Sequence, residues 1–416
     1  MIEPKGKCVR KLLVCLVALL GIGTIQAMGT SSQQDASPKA ISQTAKPSPN
    51  ANTRPSLPIQ KPALSAPYAY LEDFTTGTVL FSKNATSPMV PSSMTKLMTL
   101  YEVFSALKEG RLCLTDNLPI SKKAGQARGS RSFLEAGDRI PVEDLIRCII
   151  VHSGNDACIV AAQALGGSEE AFAEMMTTTA QRLGAQSTVF KNATGWPEEG
   201  HYSSATDLAL FARHLLLDFP QYYSYFSEKE FFINGILQRN RNTLLWRNIG
   251  VDGLKTGRTD AGGYGIVVSA VQKGQRLIAV INGCNNDKER AKDAETLLRW
   301  GFSEFVFYKI ADKGEPVTSA EVWLGDAPTV GLVAHQSIGL VVPRRDTQGI
   351  KVEVVYKGPL ETPIKAGDRV AVLYISVPGR APVEYPLFAN SRVDPIGALK
   401  RVQAAISYLL FGAKTS

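Results

Sequence analysis

Apolar residues recur at helical spacing along some stretches of this chain and at strand spacing along others. The run Leu97, Leu100, Val103, Phe104 and Leu107 follows Pro91 and stops at Gly110, which predicts a buried helix with a glycine stop. Two further helical patterns, Val142 to Val151 and Ala157 to Leu165, flank a short polar loop, and Lys288 to Phe302 predicts another helix. Tyr264 to Val271 and Leu277 to Ile281, separated by Lys273-Gly274-Gln275, carry a hairpin signature. After Phe302 the pattern changes. Glu321 to Leu324, Ile338 to Val342, Val352 to Tyr356 and Val370 to Tyr374 alternate with Gly, Pro and Asp turns, which predicts a small antiparallel β-sandwich.

The two ends of the chain differ from this globular part. Lys5, Lys7, Arg10 and Lys11 precede the apolar stretch Leu12 to Ile22, and Ala27 closes it, so residues 1–27 read as a secretory signal. A retained anchor is the second reading, disfavoured because the apolar core is short for a bilayer span. Residues 28–66 are rich in Ser, Pro, Gln, Ala, Thr and Lys without apolar periodicity, and are expected to be a disordered linker. At the other end, Pro395 to Ser416 places Ile396, Leu399, Val402, Ile406, Leu409 and Leu410 on one helical face. Lys400, Arg401 and Ser407 lie away from that face, so the segment suits a membrane interface better than a span; a terminal helix packed on its own domain is the plainer reading.

The candidate chemistry lies in three short motifs. Ser93-Met94-Thr95-Lys96 opens the first helix, so the Lys96 amine and the Ser93 hydroxyl share a face one turn apart. A hydroxyl is a weak nucleophile at neutral pH, and a lysine with a depressed pKa can activate it. Ser153-Gly154-Asn155 sits on the polar loop between two helices, where Ser153 can relay a proton and Asn155 can orient a carbonyl. Lys255-Thr256-Gly257 stands at the start of the first hairpin strand, where Lys255 and Thr256 can hold a carboxylate while Gly257 removes side-chain bulk. Singly, these motifs read as a helix cap, a polar turn and a solvated strand end. Their joint occurrence in this order reads as an acyl-transfer enzyme with a serine nucleophile.

The remaining composition narrows the function. The 416 residues carry a formal charge of +8, and removing residues 1–27 leaves about +5. With no Lys/Arg run and no interleaved aromatics, nucleic acid is not an expected partner; an anionic surface or wall polymer suits the charge better. Cys113, Cys148, Cys158 and Cys284 show no spacing that selects disulfide partners or a zinc site, and Cys148 and Cys158 fall in apolar helical runs. His152, His201, His214 and His335 lack metal-ligand spacing, so neither a metal nor an organic cofactor is expected.

Beyond the three motifs, the chain carries Ala69-Tyr70-Leu71-Glu72-Asp73, Arg128-Gly129-Ser130, Asn240-Arg241-Asn242, Val251 to Gly257 and Trp300-Gly301-Phe302 in order. On these residues it resembles the serine-type D-alanyl-D-alanine carboxypeptidases of the low-molecular-mass penicillin-binding protein family, from about Pro67 to the C-terminus. The resemblance implies an α/β catalytic domain of the penicillin-binding protein and serine β-lactamase type, an antiparallel sheet flanked by helices, over residues 67–304. An all-β domain over 305–394 and a membrane-associating helix over 395–416 would follow. It implies that Ser93 is acylated, Lys96 is the base, and Ser153 and Asn155 form the second motif. Lys255, Thr256 and Gly257 would bind substrate, and the backbone N–H groups of Ser93 and Arg258 would form the oxyanion hole. Arg290 would receive the peptide's terminal carboxylate, against its reading as a solvated helix charge. The substrate would be the peptidoglycan stem peptide, with β-lactams as covalent inhibitors, outside the cytoplasmic membrane or in a periplasm. Relatives often carry His, Tyr or Phe where this chain has Arg258; a backbone donor tolerates that change. A β-lactamase, a cross-link endopeptidase and a silent wall-binding scaffold are the rival readings.

Overall fold

The computed structural model describes residues 38–44, 59–347, 349–378 and 380–397. These residues divide into a unit spanning Ile59 to Glu304 and a second unit that begins at Phe305 and includes the strand Pro38–Thr44. The proposed signal and the terminal amphipathic helix lie outside the described residues, save for 395–397, which are not helical: Pro395 bridges to Gly325 and the Ile396 N–H bonds the Leu324 carbonyl.

The first unit is built on a five-stranded antiparallel sheet. Its strands run, in spatial order, Val79–Lys83, Tyr68–Asp73, Gln275–Cys284, Gly263–Gln272 and Val251–Thr259. Side-chain alternation divides the central strands between two cores. Val267, Ile278 and Val280 face a large helical core with Leu97, Leu100, Ile149 and Phe211. Ile266, Val268, Leu277, Ala279 and Ile281 face the opposite way and pack with Ala294, Leu297 and Leu298 of the helix Asp287–Glu304. Two-sided coverage explains why the hairpin strands read as nearly continuous apolar runs.

The helical core forms around Lys96–Lys108, whose residues from Lys96 to Val103 are all buried. Burial extends beyond the apolar stripe Leu97, Leu100, Val103, Phe104 and Leu107 to Lys96, Thr99 and Glu102, so the helix is covered by protein on more than its apolar face. The Val142 to Val151 pattern is realised as an α-helix, Val142–Arg147, that widens into a π-helical turn, Cys148–His152. Asn155–Gly166 then continues as a helix.

The packed region begins earlier than residue 67. Ser65 Oγ and the Ala66 N–H both donate to Asp293, and Lys83 donates to the carbonyls of Leu64 and Ala66. Polar anchoring of this kind leaves no apolar pattern to read, which is why the expected linker boundary falls too late. Within the same expected linker, Pro38–Thr44 pairs antiparallel with Lys351–Lys357 at one edge of the second unit's sheet. An edge strand offers unpaired backbone groups that a polar segment can satisfy without burying apolar side chains.

The second unit is all-β. A seven-stranded sheet that includes Pro38–Thr44 and a two-stranded sheet of Phe305–Ala311 and Ile338–Pro343 contribute to one core, with Leu332, Ile338, Leu373 and Ile375 fully buried. All four expected strands are present, and further strands at Thr329–Val333 and Val383–Ala389 complete the larger sheet. One short pairing, Val322–Trp323 with Leu360–Glu361, is parallel rather than antiparallel.

Candidate active site

Ser93 lies in a short 3-10 turn, Ser92–Thr95, and the α-helix proper starts at Lys96. The nucleophile candidate therefore precedes the first α-helical turn rather than lying within it. Lys96 Nζ still reaches back to Ser93 Oγ at 3.0 Å, because the tight turn preserves the three-residue neighbourhood. The same amine donates to Asn155 Oδ1 at 2.7 Å and to the Thr194 carbonyl at 2.6 Å. Lys96 is fully buried, and its pKa is lowered to about 8, chiefly by desolvation and with help from Arg241, against the opposing pull of Cys158 and Asp156.

The π-helical turn delivers the second motif. Ser153 takes a left-handed conformation, φ 58° and ψ 35°, as the chain leaves Cys148–His152. A non-glycine residue held in that region is strained, and here the strain turns Ser153 between two helices. The Gly154 N–H bonds the Cys148 carbonyl at 3.0 Å, and the Asn155 N–H bonds the Ser130 carbonyl at 2.7 Å. The Asn155 side chain is fixed from both ends: Nδ2 donates to the Arg128 carbonyl at 2.7 Å while Oδ1 accepts from Lys96.

The third motif occupies a different strand from the one expected. Lys255, Thr256 and Gly257 lie in the middle of Val251–Thr259, the edge strand of the sheet, paired to Val267, Ile266 and Gly265. The charged and glycine residues in Val251–Thr259 break its apolar run, so the sequence pattern merges it with the turn before the hairpin. Lys255 Nζ donates to Ser153 Oγ at 2.9 Å and to the Thr256 carbonyl at 3.0 Å. Burial pushes the Lys255 pKa well down, and the nearby Lys96 and Arg241 cations push it further. Gly257 matters for close approach: a Cβ there would lie 3.0 Å from the Pro91 carbonyl and 3.1 Å from Ser92 Cβ. Its lack of a side chain lets the strand meet the nucleophile turn itself.

These three segments converge on one cleft of about 840 Å³, lined among others by Ser93, Ser153, Asn155, Thr256, Gly257 and Arg258. Arg258 is exposed at its side chain, pairs with Asp260 at 2.7 Å and lies over the Tyr264 ring. Arg290 also lines the cleft, though it is no solvated helix charge: it is buried, contacts the Asp287 carboxylate and donates to the Arg241 carbonyl at 3.3 Å.

Arg241 is a charged cleft residue to which the sequence motifs gave no role. It lines the cleft, its guanidinium makes no hydrogen bond or ion pair with a described residue, and the surrounding protein lowers its pKa by desolvation. The flanking asparagines shape the turn that presents it. Asn240 Oδ1 accepts from the Asn242 N–H at 2.9 Å, Asn242 Oδ1 from the Leu244 N–H, and Asn242 Nδ2 donates to the Gly253 carbonyl. The Asn-Arg-Asn spacing was the available signal, since asparagines flanking one residue make paired side-chain turns.

Cys148, Cys158 and Cys284 are free, buried thiols, so no disulfide links them. Burial raises the pKa of each to about 12, which keeps them out of nucleophilic chemistry.

Comparison with known proteins gives the family and the fold. Residues 56–286 match the family model described as D-alanyl-D-alanine carboxypeptidase, and residues 305–395 match the penicillin-binding protein 5 C-terminal domain. The D-alanyl-D-alanine carboxypeptidase DacC of Escherichia coli (strain K12) is 37% identical over 352 residues, 83% of this chain and 88% of the relative. The crystal structure of penicillin binding protein 5 from Haemophilus influenzae superposes with a TM-score of 0.74 at 33% identity, covering 81% of this chain and 100% of that one. Penicillin-binding protein D2 from Listeria monocytogenes, solved in an ampicillin-bound form, has a TM-score of 0.51 at 29% identity, covering 60% of this chain and 100% of its own. The chain belongs to the D-alanyl-D-alanine carboxypeptidase family.

Proposed function

We propose that this serine-type D-alanyl-D-alanine carboxypeptidase works through a Ser93 acyl-enzyme with Lys96 as base and Ser153 as proton relay. The observation that carries the reading is the paired contact of Lys96 with Ser93 and of Lys255 with Ser153 on one cleft. Two amine hydrogens of neutral Lys96 point to Asn155 Oδ1 and the Thr194 carbonyl, which leaves the nitrogen lone pair for the Ser93 hydroxyl. Ser93 Oγ attacks the carbonyl carbon between the last two D-alanines of a stem pentapeptide, and its proton passes to Lys96. The oxyanion rests on the backbone N–H groups of Ser93 and Arg258, a pair of donors whose loss typically costs about 2.7–4 kcal/mol each. The C–N bond then breaks. The leaving amine takes a proton from the Ser153 hydroxyl, whose oxygen already accepts from Lys255, and Ser153 is resupplied with the proton that Lys96 took from Ser93, so that Lys96 is neutral again for the second half-reaction. Water repeats the sequence on the ester, with Lys96 accepting its proton, and releases the tetrapeptide.

The peptide's terminal carboxylate is assigned to Thr256, Lys255 and Arg241, the last because it is the cation without a protein partner among the described residues. Arg290, which also lines the cleft, is held by Asp287 and by the Arg241 carbonyl and adds its charge to the same end of the site. A β-lactam occupies the same cleft and acylates Ser93, a reading supported by the ampicillin-bound relative. The enzyme is assigned to the exported compartment, with residues 1–27 as a cleaved signal and residues 395–416 as a peripheral membrane anchor. Among the described residues no helix is long and apolar enough to cross a membrane. Fractionation of the full chain and of a chain truncated after Asp394 tests the anchor; an unchanged membrane fraction removes it.

A β-lactamase reading predicts rapid turnover of penicillin, and an endopeptidase reading predicts cleavage of dimeric muropeptides. Release of D-alanine from a pentapeptide with slow loss of the penicillin adduct favours the carboxypeptidase over both.

A further inference from the structure

We propose that Asn192 is a positioning residue for the base: it folds the turn that aims the Thr194 carbonyl at Lys96, and so fixes the direction and proton affinity of the amine. The proposal rests on the Ser93–Lys96 reading above. Asn192 is buried beneath the cleft wall, on the segment that follows Phe190. Its Oδ1 accepts from the Thr194 N–H at 3.2 Å, the Thr194 hydroxyl at 2.9 Å, the Gly195 N–H at 2.9 Å and the Trp196 N–H at 3.1 Å. Its Nδ2 donates to the Trp196 carbonyl at 3.0 Å and to Glu198 Oε2 at 2.9 Å. A single amide thus organises three consecutive residues, and the carbonyl of the first, Thr194, has Lys96 Nζ 2.6 Å away.

This contact is part of the base's chemistry. An ammonium has three hydrogens, and Lys96 offers them to Ser93, Asn155 and Thr194. A neutral amine keeps two, so the orientation of its lone pair depends on which two acceptors are fixed. Asn155 is one, tied through Nδ2 to Arg128; Thr194 is the other, tied through Asn192. If the Thr194 carbonyl swings away, the amine rotates and the lone pair leaves the serine. The ammonium also loses an acceptor, which favours the neutral form and moves its titration to lower pH. The turn has little room to relax by other means, since Gly195 packs so tightly that a Cβ there would sit 1.8 Å from the Ser92 carbonyl oxygen.

The groups that face the Lys96 amine are spread over several elements. Lys255 and Arg241 oppose its positive charge, Asp156 favours it, and Cys158 stays a neutral thiol in the pH range of interest. His201, which shares a hydrogen bond with Thr95 and accepts from the Lys191 N–H, has a pKa depressed to about 4 by burial and stays neutral above it. None of these hydrogen-bonds Asn192, whose charged partner among the described residues is Glu198, an anion that favours the ammonium; a move of the base's titration to lower pH in Asn192→Ala therefore reports the Thr194 contact.

The test is the pH profile of Ser93 acylation by benzylpenicillin, from pH 6 to 10, for the full-length enzyme and for Asn192→Ala and Asn192→Asp. In Asn192→Ala the rising limb is expected to move to lower pH by about 0.5 unit or more, with the plateau rate down about tenfold or more. Asn192→Asp keeps the oxygen that gathers residues 194–196 and is expected to recover much of the plateau, while its added anion moves the limb to higher pH. A limb that stays at the wild-type position in Asn192→Ala overturns the proposal, whatever the plateau, because damage to packing alone lowers a rate without retitrating the base. If Asn192→Ala does not fold, an Asn192→Asp profile identical to wild type overturns it equally. Failure of the wild-type enzyme to form any Ser93 adduct is a different result, and removes the acyl-enzyme reading itself.

Discussion

Lys255 donates a hydrogen bond to Ser153 Oγ at 2.9 Å from a strand that lies about a hundred positions further along the chain. The contact ties the sheet edge to the π-helical turn and orients the Ser153 hydroxyl as a donor. Ser153→Ala is expected to lower the rate of D-alanine release by about 10²–10⁴-fold, the usual range for a positioned proton-transfer group. Stopped-flow acylation and D-alanine release measured together check it; an unchanged release rate removes the relay role.

The base titrates within an accessible range. Burial holds Lys96 to about 8, so its neutral fraction rises as pH passes through that value. Acylation is expected to increase about tenfold per pH unit on the acid side and to level off above about pH 8–9. The sign for stability follows from the same shift. Between the folded value near 8 and the unfolded value near 10.4, the unfolded chain binds more protons at this site, so this lysine's contribution favours folding increasingly as pH rises and disfavours it most below the folded pKa. A pH-rate profile that is flat from pH 6 to 9 contradicts the assignment.

Arg241 is expected to read the substrate's free carboxylate. Arg241→Ala should lower kcat/KM for a pentapeptide acid by about 10–100-fold, consistent with a charge-assisted hydrogen bond of about 1.5–3 kcal/mol. Against the same peptide ended as an amide, the substitution should change little. Equal losses on both substrates would assign Arg241 to shaping the cleft.

Gly195 gives a stability prediction independent of catalysis. Its φ is 76°, and a Cβ there would meet the Ser92 carbonyl carbon at 2.4 Å. Gly195→Ala is expected to cost about 1–3 kcal/mol from overpacking, plus the left-handed penalty of about 1 kcal/mol, and to lower Tm accordingly. It should also slow acylation by displacing Ser92 and the adjoining nucleophile. A variant with wild-type Tm would show that the turn and the nucleophile are not packed as described.

The sequence made the catalytic unit legible where local spacing equals spatial proximity. Ser93 and Lys96 are three apart on one turn, so their contact follows from local geometry, whereas Ser153 and Asn155 were legible as one motif but meet Lys255 and Lys96 only through the fold. Lys255 was legible as chemistry but not as position, because its strand is an edge strand whose polar residues face the cleft. Asn192 and the Thr194 carbonyl left no trace, since backbone acceptors have no sequence code and an asparagine in a polar segment looks like any turn residue. Arg290 was found, and it lines the cleft as a buried side chain paired with Asp287 rather than as a solvated helix charge. In the second unit, strand alternation gave the four strongest strands, while Pro38–Thr44, whose composition suggests a linker, joins the sheet through backbone pairing.

The most direct test of the central claim is mass spectrometry of the purified enzyme, incubated in parallel with a penicillin and with a D-alanyl-D-alanine-terminated pentapeptide. The expected result is one penicilloyl group on the peptide that contains Ser93, lost in Ser93→Ala, together with free D-alanine and tetrapeptide in the second reaction. A penicilloyl group on another residue, or D-alanine release that survives Ser93→Ala, would contradict it.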